Sequence, residues 1–262
     1  MSTPRIDPLA EAFAGAADVY DRGRPAYRPE PLDWAWSELG LGNDATVVDL
    51  AAGTGKLAVQ LASRAARLIA VEPLDGMRAV LERQVPEAEA VVGTAEHLPL
   101  PDSSADAVFV GEAFHWFDGD PALREIHRVL RPAGGLVLVW NAGEWDEQPW
   151  ATEVFARIDR EPKPGVRPEN RPWSGLWRDA FERTSLFEPL RRHSFPHVVH
   201  TDAEGFALMI SSWSFVAALP DDVRDRLAAD VREIITRCTG GPVELHLRTD
   251  VYLTRAVTDA GR

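Results

Sequence analysis

The chain has 262 residues, 45% of them hydrophobic and 26% charged, with a net charge of −13. That length can bury one sizeable core, and no apolar run approaches the ~18 to 20 residues a membrane span requires. The acidic balance argues against broad phosphate-backbone binding, which depends on Lys and Arg displacing counterions, so neither nucleic acid nor membrane is an expected partner. The single cysteine, Cys238, excludes an internal disulfide and a cysteine-based zinc cluster; it is expected as a small buried residue near a helix end, in a reducing, cytoplasmic compartment. Met1 to Gly15 lacks the apolar core of a secretory signal, so export is not expected.

The pattern predicts one helix over about Asp7 to Tyr20 and a second from Glu30-Pro31, with Leu32, Trp36 and Leu39 on one face and a stop at Gly40 and Gly42. From Thr46 short apolar runs alternate with helices. Predicted strands are Thr46 to Leu50, Leu68 to Val71, Glu89 to Val92, Ala105 to Val110 and Leu136 to Trp140. The helices between them are Lys56 to Arg64, Asp75 to Gln84 capped by Asp75, and Asp120 to Leu130 capped by Asp120 and ended by Arg131-Pro132-Ala133-Gly134-Gly135. The alternation then lapses into a Trp-, Pro- and Arg-rich stretch, Ala142 to about Ser185. A strand near Leu190 to Val199, helices over Asp202 to Trp213 and Asp221 to Arg237, and a strand near Val243 to Leu253 complete the chain.

The fold class is therefore α/β: a Rossmann-like, mostly parallel seven-stranded sheet with helices on both faces and a small helical cap. Its parts are an N-terminal lid over 1–45, a core over 46–141, a cap over 142–185 and the remainder of the sheet over 186–262.

The run Val47-Val48-Asp49-Leu50-Ala51-Ala52-Gly53-Thr54-Gly55-Lys56-Leu57 is a buried strand ending in a glycine turn that opens a helix, a geometry that aims free N–H groups at a ligand. Gly40-Leu41-Gly42 has the same spacing but precedes a strand, so position is what gives Gly53 and Gly55 their meaning. Glu72 ends the next strand, seventeen residues beyond Gly55, where a carboxylate can accept from both ribose hydroxyls. A nicotinamide site fits these features too, since Gly53 to Ala58 satisfies the Gly-x-Gly-x-x-Ala fingerprint. Three observations favour S-adenosyl-L-methionine (SAM). Asp49 lies where a dinucleotide site usually has an apolar residue and can hold an α-ammonium group. Ala95 and Glu96 follow the third strand, with Glu96 placed to accept from an adenine amino group. No separate hydride-transfer domain follows.

Asp49 to Gly55, Val71-Glu72-Pro73, Gly93 to Pro101, Ala113-Phe114-His115-Trp116-Phe117 and Val129-Leu130-Arg131-Pro132 together resemble the class I SAM-dependent methyltransferases, in particular the small-molecule, trans-aconitate-type branch. The likeness covers Tyr20 to Asn141. It implies a glycine loop of Ala51, Gly53 and Gly55 around the methionine part of SAM, Glu72 on ribose and Glu96 on adenine. It also implies an N-terminal lid, Tyr20 to Tyr27, in which Arg24 reaches the ligand's carboxylate. Ala51 departs from the family loop, which has glycine there, as a mild change.

The expected acceptor is a small molecule, methylated by in-line displacement, by a monomer or homodimer. His115 follows a strand at the sheet edge where ligands bind and is the best-placed proton acceptor, although packing between Phe114 and Trp116 explains it as well. Trp116, Trp145, Trp173 and Trp213 are the expected pocket walls, with cap packing as the alternative. His193, His197 and His200 are expected at a surface or edge, and no metal site is expected. A nicotinamide-dependent oxidoreductase and a catalytically silent SAM-binding protein are the alternative functions.

Overall fold

The computed structural model describes residues 17–163, 166 and 174–258. Successive side chains of a strand point to opposite faces, and each central strand of this protein is apolar on both. Such strands require a layer of helices on each side. On one face Val48, Leu50, Val108, Val110, Leu136 and Leu138 pack against Leu123, Ile126 and Val129; on the other Val47, Phe109, Val137 and Val139 pack against Leu32, Ala35, Leu61 and Leu81.

The elements in order are α1 (Ala17–Gly23), α2 (Pro29–Leu39), β1 (Thr46–Leu50), α3 (Ala58–Ala62), β2 (Arg67–Val71), α4 (Asp75–Gln84), β3 (Glu89–Val91), β4 (Ala105–Gly111), α5 (Gly119–Val129), β5 (Leu130–Gly143), α6 (Ala151–Ile158), α7 (Asp179–Arg183), β6 (Arg191–Thr201), α8 (Ala203–Ser211), α9 (Ser214–Ala217), α10 (Asp221–Thr239) and β7 (Val243–Arg255). The strands form one sheet in the order β3-β2-β1-β4-β5-β7-β6. Strands β1 to β5 are parallel, and β7 is antiparallel to both β5 and β6, so the sheet is mixed. The fold is α/β and Rossmann-like.

Several boundaries differ from expectation for identifiable reasons. Of the first predicted helix only Tyr20 and its neighbours in α1 fall among the described residues. Helix α2, by contrast, stops at Gly40 as expected, where left-handed backbone (φ 63°) lets the N–H bond back to Ser37 and Trp36. Neither Asp75 nor Asp120 is a cap: Asp75 lies inside the first turn of α4 and pairs with Arg78 at 2.6 Å, while Asp120 pairs with Arg183 at 2.9 Å. Glu96 instead accepts the Asp118 N–H ahead of α5, at 3.0 Å. The residues expected to follow α5 as a loop belong to β5, because Pro132 keeps Arg131 out of helical backbone and the register shift against β4 absorbs the extra residues.

The C-terminal helices form a third core in which Trp145, Trp150, Phe206, Ile210, Val231 and Ile235 pack over Leu245 and Leu247. Trp213 is outside α8, which ends at Ser211; it precedes α9. Cys238 is near the end of α10 as expected, but half-buried. His193, His197 and His200 lie on the edge strand β6, His193 stacked on Trp34 with centroids 5.0 Å apart. Among the described residues no helix is long and apolar enough to cross a membrane.

Candidate functional site

In open α/β sheets ligands bind beyond the carboxyl ends of the strands. Here β1 ends in a turn through Ala51 (φ 57°), Gly53 (φ 58°) and Gly55 (φ 91°). Left-handed backbone costs a residue with a Cβ roughly 1–2 kcal/mol, so alanine at position 51 is a strained choice, more than the mild change its size suggests. The two glycines do different work. A Cβ at Gly53 would meet nothing within 4 Å and would project into open space, whereas one at Gly55 would stand 2.7 Å from Leu81 Cδ1 of α4. Gly55 therefore lets the turn pack against a helix and lines none of the three cavities that open at this edge, whereas Gly53 borders two of them.

Glu72 is 4% exposed and holds this turn: its Oε2 accepts the Gly53 N–H at 2.8 Å and its Oε1 the Leu74 N–H at 2.9 Å. Burial raises its pKa against the pull of those two bonds. Helix α1 is tied to the same turn by Asp21, which accepts from Thr54 Oγ1 at 3.0 Å and from Gln84 Nε2 at 2.7 Å and lies 3.6 Å from Lys56 Nζ. The short acidic residue Asp21 carries no motif, and its docking role was not legible in the sequence.

Three adjoining cavities open at this edge, all lined by Tyr20 and Glu112. The first, of about 70 Å³, brings together Arg24, Asp49, Ala51 and Gly53. Asp49 is 1% exposed, and neither carboxylate oxygen has a hydrogen-bond partner among the described residues. Burial, reinforced by the Glu72 charge, raises its pKa to about 8; the Ala58 backbone amide, whose geometry falls short of a hydrogen bond, opposes this. Arg24 Nε is likewise buried without a partner, although its Nη2 reaches the Ser212 carbonyl at 3.4 Å and its guanidinium lies 5.4 Å from the Tyr20 ring. Its neighbour Arg22 is an exposed cation. A buried acid without hydrogen-bond partners and a half-buried guanidinium whose buried Nε lacks one, on one small cavity, match the ammonium and carboxylate of an α-amino acid.

The second cavity, of about 120 Å³, is lined by Ala51, Gly53, Glu72, Ala95, Glu96 and the buried hydroxyl-bearing Thr94, whose Oγ1 has no partner among the described residues. Two acids, Glu72 and Glu96, on one cavity are acceptors of the kind that ribose hydroxyls and an adenine amino group call for, so the residues present suit SAM.

The third cavity is the largest, about 710 Å³, and is bordered by His115, Trp116, Trp145 and Trp213. Trp116 also borders the second cavity and so stands between the two. His115 is buried, its ring 4.7 Å from that of Trp116. Trp145 is both wall and core: 8% exposed, it contacts Trp150, Phe155 and Phe206 as well as lying parallel to Trp213. Trp173 lies outside the described residues. Trp140, Trp177 and Tyr252 complete the aromatic lining, from strands and turns that no local motif connects.

Glu112 escaped the sequence reading. It follows β4 in left-handed backbone (φ 57°), and its Oε1 accepts the Asn141 N–H at 2.5 Å. Burial raises its pKa while the nearby Arg24 charge lowers it. The signal available was only an acid directly after a buried strand, in a chain with 41 acidic residues.

A glycine turn after β1, an acid holding it from β2 and an acid and a guanidinium on one cavity are the features that a nucleoside carrying an α-amino acid would call for. Comparison with known proteins agrees. Residues 48–138 match the model of a methyltransferase domain. An uncharacterised methyltransferase of Mycobacterium tuberculosis is 34% identical over 235 residues, 90% of this chain and 89% of that protein. Among solved structures, a candidate type II methyltransferase from Anaeromyxobacter dehalogenans superposes with a TM-score of 0.64 at 22% identity, covering 89% of this chain and 98% of that one. The cyclase SpnF has a TM-score of 0.56 at 16% identity, with 98% of each chain covered. The chain belongs to the class I SAM-dependent methyltransferase family.

Proposed function

We propose that the protein transfers a methyl group from SAM to a small-molecule acceptor held in the 710 Å³ cavity. The observation that carries this reading is the buried Asp49 carboxyl, which has no hydrogen-bond partner among the described residues, together with the partnerless Arg24 Nε, on the cavity beside the glycine turn. When bound, SAM supplies a methyl group already activated on a positively charged sulfonium. The protein's own task is then mainly orientation, which can contribute roughly 7 to 11 kcal/mol to lowering the barrier. Asp49 and Arg24 hold the amino-acid end, Glu72 and Glu96 the nucleoside end, and Trp116 separates donor from acceptor. Trp145 and Trp213 exclude water from the acceptor side.

An acceptor that must lose a proton needs a base near the junction of the cavities. Glu112 and His115 both line the acceptor cavity, and Glu112 alone of the two also borders both cofactor cavities. Glu112 is therefore the better-placed proton acceptor for in-line displacement.

Calorimetry with S-adenosylhomocysteine (SAH) and with NAD, followed by transfer of labelled methyl from SAM to a panel of small acceptors, tests the reading. SAH binding with transfer is the expected result. Binding of NAD alone restores an oxidoreductase. SAH binding without transfer to any acceptor favours a cofactor-holding protein without this activity, a real alternative because SpnF shares the fold and is named a cyclase.

A further inference from the structure

The acceptor cavity is not electrically neutral. Five basic and three acidic side chains line it, in a chain whose net charge is −13. Most of these cations are compensated locally. Arg192 and Arg248 both bond Asp250, at 2.9–3.1 Å, Arg248 also reaches Glu144 at 2.5 Å, and Lys163 pairs with Asp159 at 2.5 Å. Arg24 belongs to the cofactor end. Arg178 remains, and among the described residues no carboxylate lies within ion-pair distance of it.

The surroundings of Arg178 on its cavity side are aromatic. Its guanidinium sits 4.9 Å from the Trp177 ring and 5.1 Å from the Tyr252 ring, and its Nη2 donates to the Tyr252 hydroxyl at 2.6 Å. One nitrogen is thus spoken for, and the group keeps further N–H donors in a planar fork, the geometry that receives a carboxylate or similar oxyanion. Trp140 stands against the same two rings, with centroids 4.6 Å from Trp177 and 5.6 Å from Tyr252. The indole N–H groups of Trp140 and Trp145, both of which line the cavity, are buried and have no acceptor among the described residues. Buried donors of this kind cost free energy unless something accepts from them. The cavity thus presents flat apolar walls, an excess cation and donors in want of acceptors.

We propose that Arg178 receives the anionic group of a flat aromatic acceptor, whose ring lies along the Trp140–Trp177–Tyr252 wall. The proposal rests on the reading of this cavity as the acceptor site and narrows it to aromatic acids and related oxyanions. The acceptor is then held between a cation at Arg178 and an acid at Glu112, which orients it with its nucleophile toward the cofactor end.

The test measures binding of benzoate, 2-naphthoate and 2-anthracenecarboxylate, each against its neutral carboxamide, to SAH-loaded protein by calorimetry. At least one acid is expected to bind ten times or more tighter than its amide. Arg178→Met, which keeps an apolar side chain against the rings, is expected to bring that ratio within twofold and to leave SAH affinity unchanged; Arg178→Lys should fall between. The proposal is overturned if acids and amides bind alike, if the preference survives in Arg178→Met, or if no acid binds. Should SAH itself fail to bind, the cofactor reading falls, and the same acid–amide comparison on the unloaded protein still decides the role of Arg178.

Discussion

The cofactor side and the acceptor side of this cleft are built on different principles. The side proposed for the cofactor is assembled from consecutive strand ends, Asp49 to Gly53, Glu72 and Thr94 to Glu96, and its shape is backbone held by one buried carboxylate. The acceptor side is assembled from side chains as far apart in sequence as His115 and Tyr252, and its walls are also the packing of the C-terminal helices. The lesson is that a change on the cofactor side can separate binding from folding, whereas a change on the acceptor side often alters both.

The largest expected effect tests that overlap. Trp145→Ala removes a ring that is 8% exposed and packed on four other aromatics, and truncations of this kind cost about 3–5 kcal/mol. Thermal unfolding should show a fall of that size, with acceptor binding lost alongside. Trp213→Ala removes a half-buried ring and should raise the acceptor's KM with a much smaller stability change. Equal melting temperatures for the two variants would show that wall and core are not shared as described.

On the cofactor side the two glycines offer a cleaner contrast. Gly53→Val puts a branched side chain into the ligand's space and should weaken SAH binding by more than about a hundredfold, or about 2.7 kcal/mol, with the fold retained. Gly55→Val drives a side chain into Leu81 and should lower the melting temperature first. Calorimetry and melting on both variants check this, and the reverse pattern would exchange the roles assigned to them.

Glu112→Gln preserves shape and removes a base. If it accepts the acceptor's proton, turnover falls by about a hundredfold or more while SAH affinity changes little, and His115→Asn does less. Steady-state kinetics with the first acceptor identified would settle the order.

Much of the cofactor side was legible in the sequence because its signals are local: a strand, a glycine turn and an acid at set spacing. What stayed hidden there was mechanical. Nothing local distinguishes Gly55, which packs on α4, from Gly53, which borders the cavities, or shows that Glu72 props the turn by accepting the Gly53 N–H. On the acceptor side, composition pointed to tryptophans in the cap but not to their partners. Trp140 and Tyr252 lie on neighbouring strands β5 and β7, and Arg178 meets them only through the tertiary fold. Glu112 was missed because its left-handed backbone is a property of the turn after β4 that glutamate does not advertise.

The most direct measurement is the proton balance of SAH binding. The folded pKa of Asp49, about 8, is far above its ordinary 3.8, so the unfolded chain releases this proton first; the ligand-free protein loses stability as pH rises from about 4 to about 8, with Glu72 acting in the same direction. A bound ammonium group stabilises the ionised form of Asp49. Below pH 8, SAH binding should therefore tighten with rising pH, by up to about tenfold per unit, and release close to one proton. Calorimetry at pH 6.5 in buffers of different ionisation enthalpy should find that proton in the native protein and none in Asp49→Asn, whose affinity should be lower and flatter with pH. Tight SAH binding with no proton released, or the same release from both proteins, would contradict the assignment of Asp49 to the amino-acid end of the cofactor.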